Sequence, residues 1–261
     1  MRHHTVAPVV AVIATLLVIG SVAPGALDAQ VWHHVHLAST DPSEAQAWYI
    51  EHMGAEARGA TGARIGSTAI NLWERDASVL GSVGSVLDHI GFSVPDLEAT
   101  MARLRSSGVE IMSDIQVVLD TKIAFVRDPW GTRIEMVEDP SRLGFHHVHA
   151  FVENPREAQR WFARVFGGEP TLFLDAIPAV DYEGAWLFFG QAGDAARAPS
   201  SGRSFDHIGF TVPDMEAALR RMVPADVEVT EGPRPNRSGT TVIAYVAGPG
   251  GISIELLEAR R

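Results

Sequence analysis

Apolar and polar residues alternate in short runs along this chain, and the runs are grouped around segments with helical spacing. In the stretch HHVHL, Val35 and Leu37 share one face and His34 and His36 share the other, because side chains alternate across a strand. The following STDPSEAQAWYI carries a helix-start signal, with Asp41 as the N-cap. Further alternating runs follow, separated by turn sequences such as DPWG and GPGG. The pattern predicts a β-α-β-β-β unit.

This unit is written four times along the chain. The segment that begins at His33 returns at His146, and the segment DHIGFSVPDLEA at Asp88 returns as DHIGFTVPDMEA at Asp206. The chain is therefore a duplicated two-part unit, and we predict an α+β fold of four modules paired into two domains. Whether the modules pair within each half or across the halves stays open. The predicted divisions are a first domain, a linker and a second domain: 30–138, 139–144 and 145–261.

The strand parity places metal-competent side chains on the face opposite the helix. A merely solvated face would carry Lys, Thr and Ser more often than His, and the recurrence of the set in both halves favours metal binding over isolated structural histidines. His33 has the parity of the apolar face but stands at the strand edge, so we expect it to be solvated. The residues on the open face are His34, His36, His89 and Glu135, then His147, His149, His207 and Glu255.

The four modules, with the sequences DHIGFSVPDLEA, DPWGTRIEMVE and DHIGFTVPDMEA, resemble the vicinal oxygen chelate superfamily. This group includes glyoxalase I, extradiol dioxygenases, fosfomycin resistance enzymes and bleomycin resistance proteins. The resemblance implies two cup-shaped domains, each with a divalent metal that binds adjacent oxygens of the substrate. Mapped onto this chain, it implies two sets of metal ligands: His34, His89 and Glu135 in the first half, and His147, His207 and Glu255 in the second.

The fourth ligand position of the family falls on Asn71 in the first half and near Leu187 in the second. Glyoxalase I commonly has a carboxylate there, so Asn71 disfavours isomerase chemistry. Two histidines and one carboxylate suit Fe2+ or Mn2+, with Ni2+ or Zn2+ as alternatives. A further possibility is that only one cup works, and because Asn71 is polar and Leu187 is not, that cup would then be in the first half. It follows that Glu135→Ala should abolish activity and Glu255→Ala should spare it.

His36 and His149 are predicted to be catalytic acid/base groups, because a neutral imidazole near a substrate oxygen can exchange a proton near neutral pH. They could instead replace His34 and His147 as ligands, or simply line the cup. The substrate-facing candidates are Asn71, Trp73 and Tyr245. In contrast, Glu74, Arg75 and the segment QAGDAARAPSSGRS are interpreted as loops without chemistry.

The function predicted first is a metal-dependent enzyme for a small molecule with vicinal oxygens, of dioxygenase type, with a glyoxalase-type lyase or isomerase as the second choice. The alternative is a non-catalytic protein that sequesters a ligand, similar to bleomycin resistance proteins. Trp73, Trp186 and Phe188 support that alternative, whereas the ligand triads oppose it. Fosfomycin-type thiol transfer fits poorly, because it depends on a cytosolic thiol pool.

Charge and composition narrow the range of partners and locations. The formal net charge of -11 argues against nucleic acid as a partner, and the lack of cysteine leaves histidine and carboxylate as metal ligands. Residues 1–29 combine Arg2, an apolar run and a tail of small residues, as in a secretory signal peptide cleaved between Gly25 and Ala29, with an uncleaved membrane anchor as the alternative. We therefore expect a secreted or periplasmic monomer or homodimer, without stable membrane insertion after cleavage.

Overall fold

The computed structural model describes residues 30–259, and the predicted signal peptide at 1–29 lies outside the described residues and stays a prediction. Within residues 30–259 the chain repeats the predicted β-α-β-β-β unit four times. The first two modules contain β1 (Val31–Ser39), α1 (Pro42–Met53), β2 (Glu56–Arg58), β3 (Gly62–Ile65) and β4 (Thr68–Glu74), then β5 (Leu87–Ser93), α2 (Leu97–Ser106), β6 (Glu110–Val118), β7 (Thr121–Arg127) and β8 (Arg133–Val137).

The second half repeats the same order of elements. Two short 3₁₀ turns, Val223–Ala225 and Pro249–Gly251, interrupt the last module. The third and fourth modules contain β9 (Gly144–Val152), α3 (Pro155–Phe166), β10 (Glu169–Phe173), β11 (Ile177–Tyr182) and β12 (Ala185–Gln191), then β13 (Phe205–Thr211), α4 (Met215–Met222), β14 (Val229–Pro235), β15 (Thr241–Ala247) and β16 (Ser253–Ala259).

The modules pair across the two halves of the sequence. One sheet has the strand order β14-β15-β16-β13-β1-β4-β3-β2 and the other β10-β11-β12-β9-β5-β8-β7-β6. The first sheet thus joins the first and fourth modules through antiparallel β1 and β13, and the second joins the middle two through β5 and β9. The predicted α+β fold of two paired-module domains is confirmed. The division at 139–144 marks the sequence repeat, but each half contributes one module to each sheet.

The helix starts and the core follow the sequence pattern. Side chains of Asp41, Asp96, Asn154 and Asp214 accept backbone N–H bonds at the four helix N-termini. Apolar residues of both sheets and all four helices merge into one core, in which the rings of Trp32 and Phe145 lie 6.4 Å apart. The predicted inward-facing strand residues are part of it: Val35, Leu37, Ile90, Phe92, Ile134, Met136, Val148, Ile208, Phe210, Ile254 and Leu256.

No helix among residues 30–259 has both the length and the apolar character needed to cross a bilayer. The faces of the two sheets that carry the histidine and glutamate side chains are called here the first cup, on the sheet that contains β1, and the second cup, on the sheet that contains β5.

Candidate metal centres

The adjacent histidines of the repeated HH sequence result from a β-bulge. Trp32 and His34 of β1 pair with the neighbouring residues Phe210 and Gly209 of β13, so His33 is the extra residue. Trp32 therefore lies in the core, and His33 Nδ1 lies 2.9 Å from His34 Nδ1. The prediction that His33 is solvated is wrong: its ring is partly buried, because the bulge places it against the ring of His34.

A matching bulge lies at His146 in the second cup. Phe145 and His147 pair with the consecutive residues Phe92 and Gly91 of β5. His146 is buried, and its Nδ1 lies 2.7 Å from His147 Nδ1. The repeated HH dipeptide is therefore a repeated structural device.

A second bulge lies on each partner strand, at the aspartate that precedes a cluster histidine. Asp206 is the extra residue between Phe205 and His207, and Asp88 holds the equivalent place before His89. Asp206 Oδ1 lies 2.6 Å from His207 Nδ1, and Asp88 Oδ1 lies 2.9 Å from His89 Nδ1. A carboxylate on this nitrogen fixes the ring orientation and leaves Nε2 free to face the cluster.

The first cup holds a buried cluster of three histidines and one glutamate, called here the first cluster. His34 Nε2 and His207 Nε2 lie 3.1 and 3.2 Å from Glu255 Oε2. His36 Nδ1 lies 2.8 Å from His207 Nε2. One potential ligand atom from each of the four lies within 4.8 Å of the others.

The second cup holds the equivalent second cluster. His89 Nε2 and His147 Nε2 lie 2.8 and 3.3 Å from Glu135 Oε2. The ring centroid of His149 lies 4.8 Å from that of His89. These four residues also offer ligand atoms within 4.8 Å of one another.

The structure brings all six predicted ligands together, but not in the predicted groups. His34 joins His207 and Glu255 rather than His89 and Glu135, and His147 takes the converse place. The reason is the pairing of β1 with β13, which no local pattern determines. His36 and His149 lie in the clusters with them, so each cluster has four candidate donors.

The buried nitrogens test whether these residues fit a metal ion. His34 Nε2 lies 3.1 Å from Glu255 Oε2, but the geometry is not that of a hydrogen bond. This buried nitrogen has no hydrogen-bond partner among the described residues. His147 Nε2 lies 3.3 Å from Glu135 Oε2 and likewise has no hydrogen-bond partner among the described residues. A buried, unpartnered nitrogen costs free energy unless something binds it. Two imidazoles and a carboxylate that share one centre fit a divalent cation.

Two glycines make room for the ligand rings. A Cβ atom on Gly209 would lie 2.0 Å from His34 Cε1, and one on Gly91 would lie 2.2 Å from His147 Cε1. Both imidazoles thus lie directly over the backbone of the neighbouring strand. The glycine of the repeated DHIGF sequence marks where a histidine ring packs on the neighbouring strand, but because β5 and β13 both carry it, it does not show which histidine packs on which strand.

Burial keeps several of the cluster histidines neutral. It lowers the pKa of His34 and His147, and lowers that of His36 and His149 well below its ordinary value. The bulge residue His33 has a pKa lowered to about 4, mainly by burial. Neutral imidazoles have the lone pair that a metal ligand needs.

The other members of the clusters are stabilised in their charged forms. Burial alone would lower the pKa of His207 and His89, but the carboxylates on both ring nitrogens outweigh it and raise the pKa. Burial would raise the pKa of Glu255 and Glu135, but the adjacent histidines outweigh it and lower the pKa. Both carboxylates are therefore ionised at neutral pH and can bind a cation.

The fourth ligand position differs between the cups. Asn71 pairs with His36 on adjacent strands, and Phe188 pairs with His149 in the same way. The equivalent of Asn71 is therefore Phe188, not Leu187, which lies in the core. Asn71 lies in the cup of Glu255, so the expectation that Glu135 belongs to the site with the polar fourth group is wrong.

A groove of about 570 Å³ lies beside the first cluster, although none of the four cluster residues lines it. Its lining includes Tyr245, whose hydroxyl donates to Glu255 Oε1 at 3.1 Å, and Trp73, whose ring centroid lies 4.5 Å from that of His36. The guanidinium carbon of Arg75 lies 3.7 Å from the centroid of the Trp73 ring. Arg75 lies in the loop after β4, as predicted, whereas Glu74 is the last residue of β4, so its interpretation as a loop residue is wrong.

The second cup encloses a smaller cavity of about 160 Å³ with aromatic and aliphatic walls. Phe125 pairs with Glu135 as Tyr245 pairs with Glu255, so a ring without a hydroxyl replaces the phenol. Arg197, from the segment predicted to be an inert loop, binds Asp88 Oδ2 at 2.7 Å and so supports the second cluster. The apolar lining residues include Phe125, Phe151, Phe173, Leu174, Ile177 and Phe188.

Comparison with known proteins agrees with this architecture. The sequence model of the Glyoxalase/Bleomycin resistance protein/Dioxygenase superfamily matches residues 32–136 and 144–256. No curated protein matches the chain. Glyoxalase I from Zea mays superimposes with a TM-score of 0.69 at 17% identity, over 88% of this chain and 92% of that one.

A second solved structure is similar over the whole length. A candidate dioxygenase from Bacillus subtilis subsp. subtilis str. 168 superimposes with a TM-score of 0.65 at 16% identity, over 90% of this chain and 87% of that one. At these identities the likeness shows the fold and does not identify a substrate.

Proposed function

Because the chain belongs to the Glyoxalase/Bleomycin resistance protein/Dioxygenase superfamily, we propose that it is a divalent-metal-dependent enzyme that acts on a small molecule with two adjacent oxygens. The observation that carries the proposal is the pair of buried clusters in which two histidines and a glutamate face one point. A Fe2+ or Mn2+ ion, or alternatively Ni2+ or Zn2+, would act as a Lewis acid on the two substrate oxygens.

The surroundings of the clusters favour dioxygenase-type chemistry over glyoxalase-type proton transfer. Among residues 30–259, each cluster contains one carboxylate, and the fourth position is Asn71 or Phe188. A glyoxalase-type reaction that uses a second carboxylate as base has no such group here. We keep lyase or isomerase chemistry as the second choice within the enzyme proposal.

His36 and His149 are proposed as the groups that hold a proton. Both imidazoles are neutral at pH 7, because burial keeps their pKa well below the ordinary value. The lowered pKa makes each imidazole a weaker base than an exposed histidine, so it would accept a proton only from a substrate hydroxyl whose own pKa is lowered, as binding to a cation would do. Tyr245 donates a hydrogen bond to Glu255 and so orients that carboxylate.

The second cup also supports a non-catalytic alternative. Its cavity of about 160 Å³ is close to the size of cavities that bind a single benzene ring, and its walls are mainly apolar. A cup of this kind could sequester a small aromatic ligand, in the manner proposed for the bleomycin-resistance type of protein. That alternative requires no metal in the second cup.

Metal analysis tests the proposal directly. The wild-type protein, purified without chelators, should contain about two divalent ions per chain, one for each cluster. The variants His207→Ala/Glu255→Ala and His89→Ala/Glu135→Ala should each lose about one. A control with exposed carboxylates removed, Asp114→Ala/Glu216→Ala, should lose none.

The outcomes separate the candidate functions. Metal in both clusters, followed by oxygen uptake with catechols, supports the dioxygenase. Conversion of α-oxoaldehydes without oxygen uptake supports lyase or isomerase chemistry instead. Absence of metal after reconstitution with Fe2+, Mn2+, Ni2+ or Zn2+ would refute the enzyme proposal. We propose that the enzyme acts after export, and N-terminal sequencing of exported protein checks whether residues 1–29 are removed.

A further inference from the structure

The groove of the first cup contains an arginine that no carboxylate neutralises at close range. The guanidinium of Arg75 makes no hydrogen bond to any residue between 30 and 259, and its one ion pair there is to Asp206 Oδ2 at 4.0 Å. That oxygen is already engaged, because it accepts the backbone N–H of Gly202 at 2.6 Å. Arg75 therefore has its donors free at the mouth of the groove.

The position of Arg75 is fixed by contacts that lead to the first cluster. Its guanidinium stacks on the Trp73 ring, and that ring packs on His36. The nearby Asp206 binds His207 on the opposite side of the cluster. A stacked guanidinium has fewer accessible conformations than a free one, so it loses less entropy when a ligand binds.

The chain itself offers the contrast, because the arginines of the second cup are neutralised. Arg133 and Arg197 both bind the buried carboxylate of Asp88, at 3.0 and 2.7 Å. At the place of Asn71 the second cup has Phe188, which stacks on Phe173 with centroids 4.7 Å apart. The second cup thus offers an anionic ligand no free cation among the described residues that line its cavity.

A second cation lies on the same side of the first cup. Arg58 donates to Asn71 Oδ1 at 3.1 Å, and no carboxylate of residues 30–259 forms an ion pair with it. Asn71 pairs with His36, so Arg58 adds positive potential beside the same histidine. The groove also contains Glu231, but that carboxylate is paired with Arg234, so Arg75 and Arg58 are the cations beside the first cluster that lack a close carboxylate among the described residues.

We propose that the first cup is specific for a substrate that carries a carboxylate beside its chelating oxygens, and that Arg75 binds this carboxylate. The inference rests on the proposed function, since it needs a metal in the first cluster to hold the adjacent oxygens. The planar guanidinium fork matches the two oxygens of a carboxylate, and the resulting hydrogen bonds are charge-assisted. The second cup is expected to prefer an uncharged ring.

A pair of probes that differ only in the carboxylate tests the proposal. Catechol and 3,4-dihydroxybenzoate are titrated calorimetrically into Zn2+-loaded His89→Ala/Glu135→Ala protein, in which the first cup is intact. The carboxylated probe should bind about 10-fold more tightly, which corresponds to one charge-assisted contact at a half-exposed site. Added Arg75→Gln should bring the ratio of the two dissociation constants close to one.

Arg75→Lys keeps the charge without the fork and should retain part of the preference. Arg220→Gln removes the same unit of charge on the exposed face of α4 and should leave the ratio unchanged. The reciprocal protein, His207→Ala/Glu255→Ala, should show no preference for the carboxylate through its second cup.

Different results would contradict the role of Arg75 and the proposed metal centre. Equal binding of both probes to the Zn2+-loaded first cup, or a preference that survives Arg75→Gln, would overturn the role of Arg75. Loss of both probes together with the metal would refute the metal centre itself. Circular dichroism and metal content of each variant show whether it is folded and loaded.

Discussion

The two cups have nearly the same set of candidate metal ligands, but the side chains that surround them differ in chemistry. Each cluster takes two first-strand histidines and one last-strand glutamate, with a third histidine alongside. Around the first cluster lie a phenol, an indole and a free guanidinium, from Tyr245, Trp73 and Arg75. Around the second lie phenylalanine rings, and the cavity is less than a third of the volume.

The comparison shows which features of the duplicated unit are under common geometric constraint. The bulges at His33 and His146 and the glycines at 91 and 209 recur because both are needed to bring the ligand rings together. The walls carry no such constraint, since any side chain of suitable size can line a cavity. The two cups therefore differ in the chemistry of their walls and not in their sets of candidate metal ligands.

The largest expected effect is a loss of metal when His34 is removed, because His34 lies in the cluster of Glu255 and not in that of Glu135. His34→Ala should remove the metal of the first cup and spare that of the second, because His34 lies beside Glu255. A site that loses a direct ligand should lose more than the 10- to 100-fold affinity that is typical of changes in the outer shell, or roughly 100-fold and more. Metal content per chain measures this.

The double variants make the test decisive. His34→Ala/Glu255→Ala should lose no more metal than either single variant, whereas His34→Ala/Glu135→Ala should lose both ions. If His34 proved redundant with Glu135 instead, the modules would pair within each half and the comparison of the two cups would be wrong.

A smaller effect is expected from the aspartates that hold His89 and His207. Asp88→Asn leaves the partly buried Arg133 and Arg197 without their carboxylate, so it should lower the free energy of unfolding by about 3 kcal/mol. Asp206→Asn should cost only about 1 kcal/mol, because an amide oxygen can still accept the N–H of Gly202. Urea unfolding of metal-free protein at pH 7 measures both.

The pH dependence gives this prediction a sign. Burial would raise the pKa of Asp88, but His89, Arg133 and Arg197 outweigh it and hold the pKa below its ordinary value. The stabilisation is therefore complete above the unfolded pKa of about 4 and is lost as the pH falls through the folded value. The difference between wild type and Asp88→Asn should shrink in acid, and a difference that grows there would contradict it.

The smallest effect is expected where the cups differ by one hydroxyl. Tyr245→Phe removes the hydrogen bond to Glu255 and should weaken metal binding in the first cup by about 10-fold. Phe125→Tyr places a hydroxyl opposite Glu135 and should strengthen the second site by less than that. Competition with a calibrated chelator measures both affinities. Unchanged affinity in Tyr245→Phe would show that the phenol serves the substrate and not the carboxylate.

Local features of the fold were predictable because their causes lie within a few residues. The N-caps at Asp41, Asp96, Asn154 and Asp214 satisfy backbone donors of their own helices. The alternation that buries Val35 and exposes His36 to the cup is a property of any strand with one apolar face. These patterns were sufficient for the module and for the open face.

The sequence predicted which residues belong to the candidate sites, but not which of these residues share a cluster. All six ligand candidates were identified from parity and resemblance, yet the partner of His34 depends on which first strand pairs with β1. The bulge at His33 inserts one residue into β1, so the alternation of faces changes at that point and His33 does not lie on the apolar face. A prediction based on simple alternation does not detect such an insertion. The stacking of Arg75 on Trp73 was not predictable, because it depends on how the loop after β4 folds back at the groove.

The sequence by itself thus determined four β-α-β-β-β modules, their inward and outward faces and the histidine and glutamate side chains on the open face, since these follow from periodicities of a few residues. The tertiary structure decided which modules share a sheet, which histidines share a glutamate, and that a wide groove with charged side chains lies at one cup while a smaller cavity with aromatic walls lies at the other. Those choices depend on pairing between residues far apart in the chain, as with the 171 positions between His36 and His207. Contacts between residues so far apart produce no repeating pattern of apolar and polar residues from which they could be predicted.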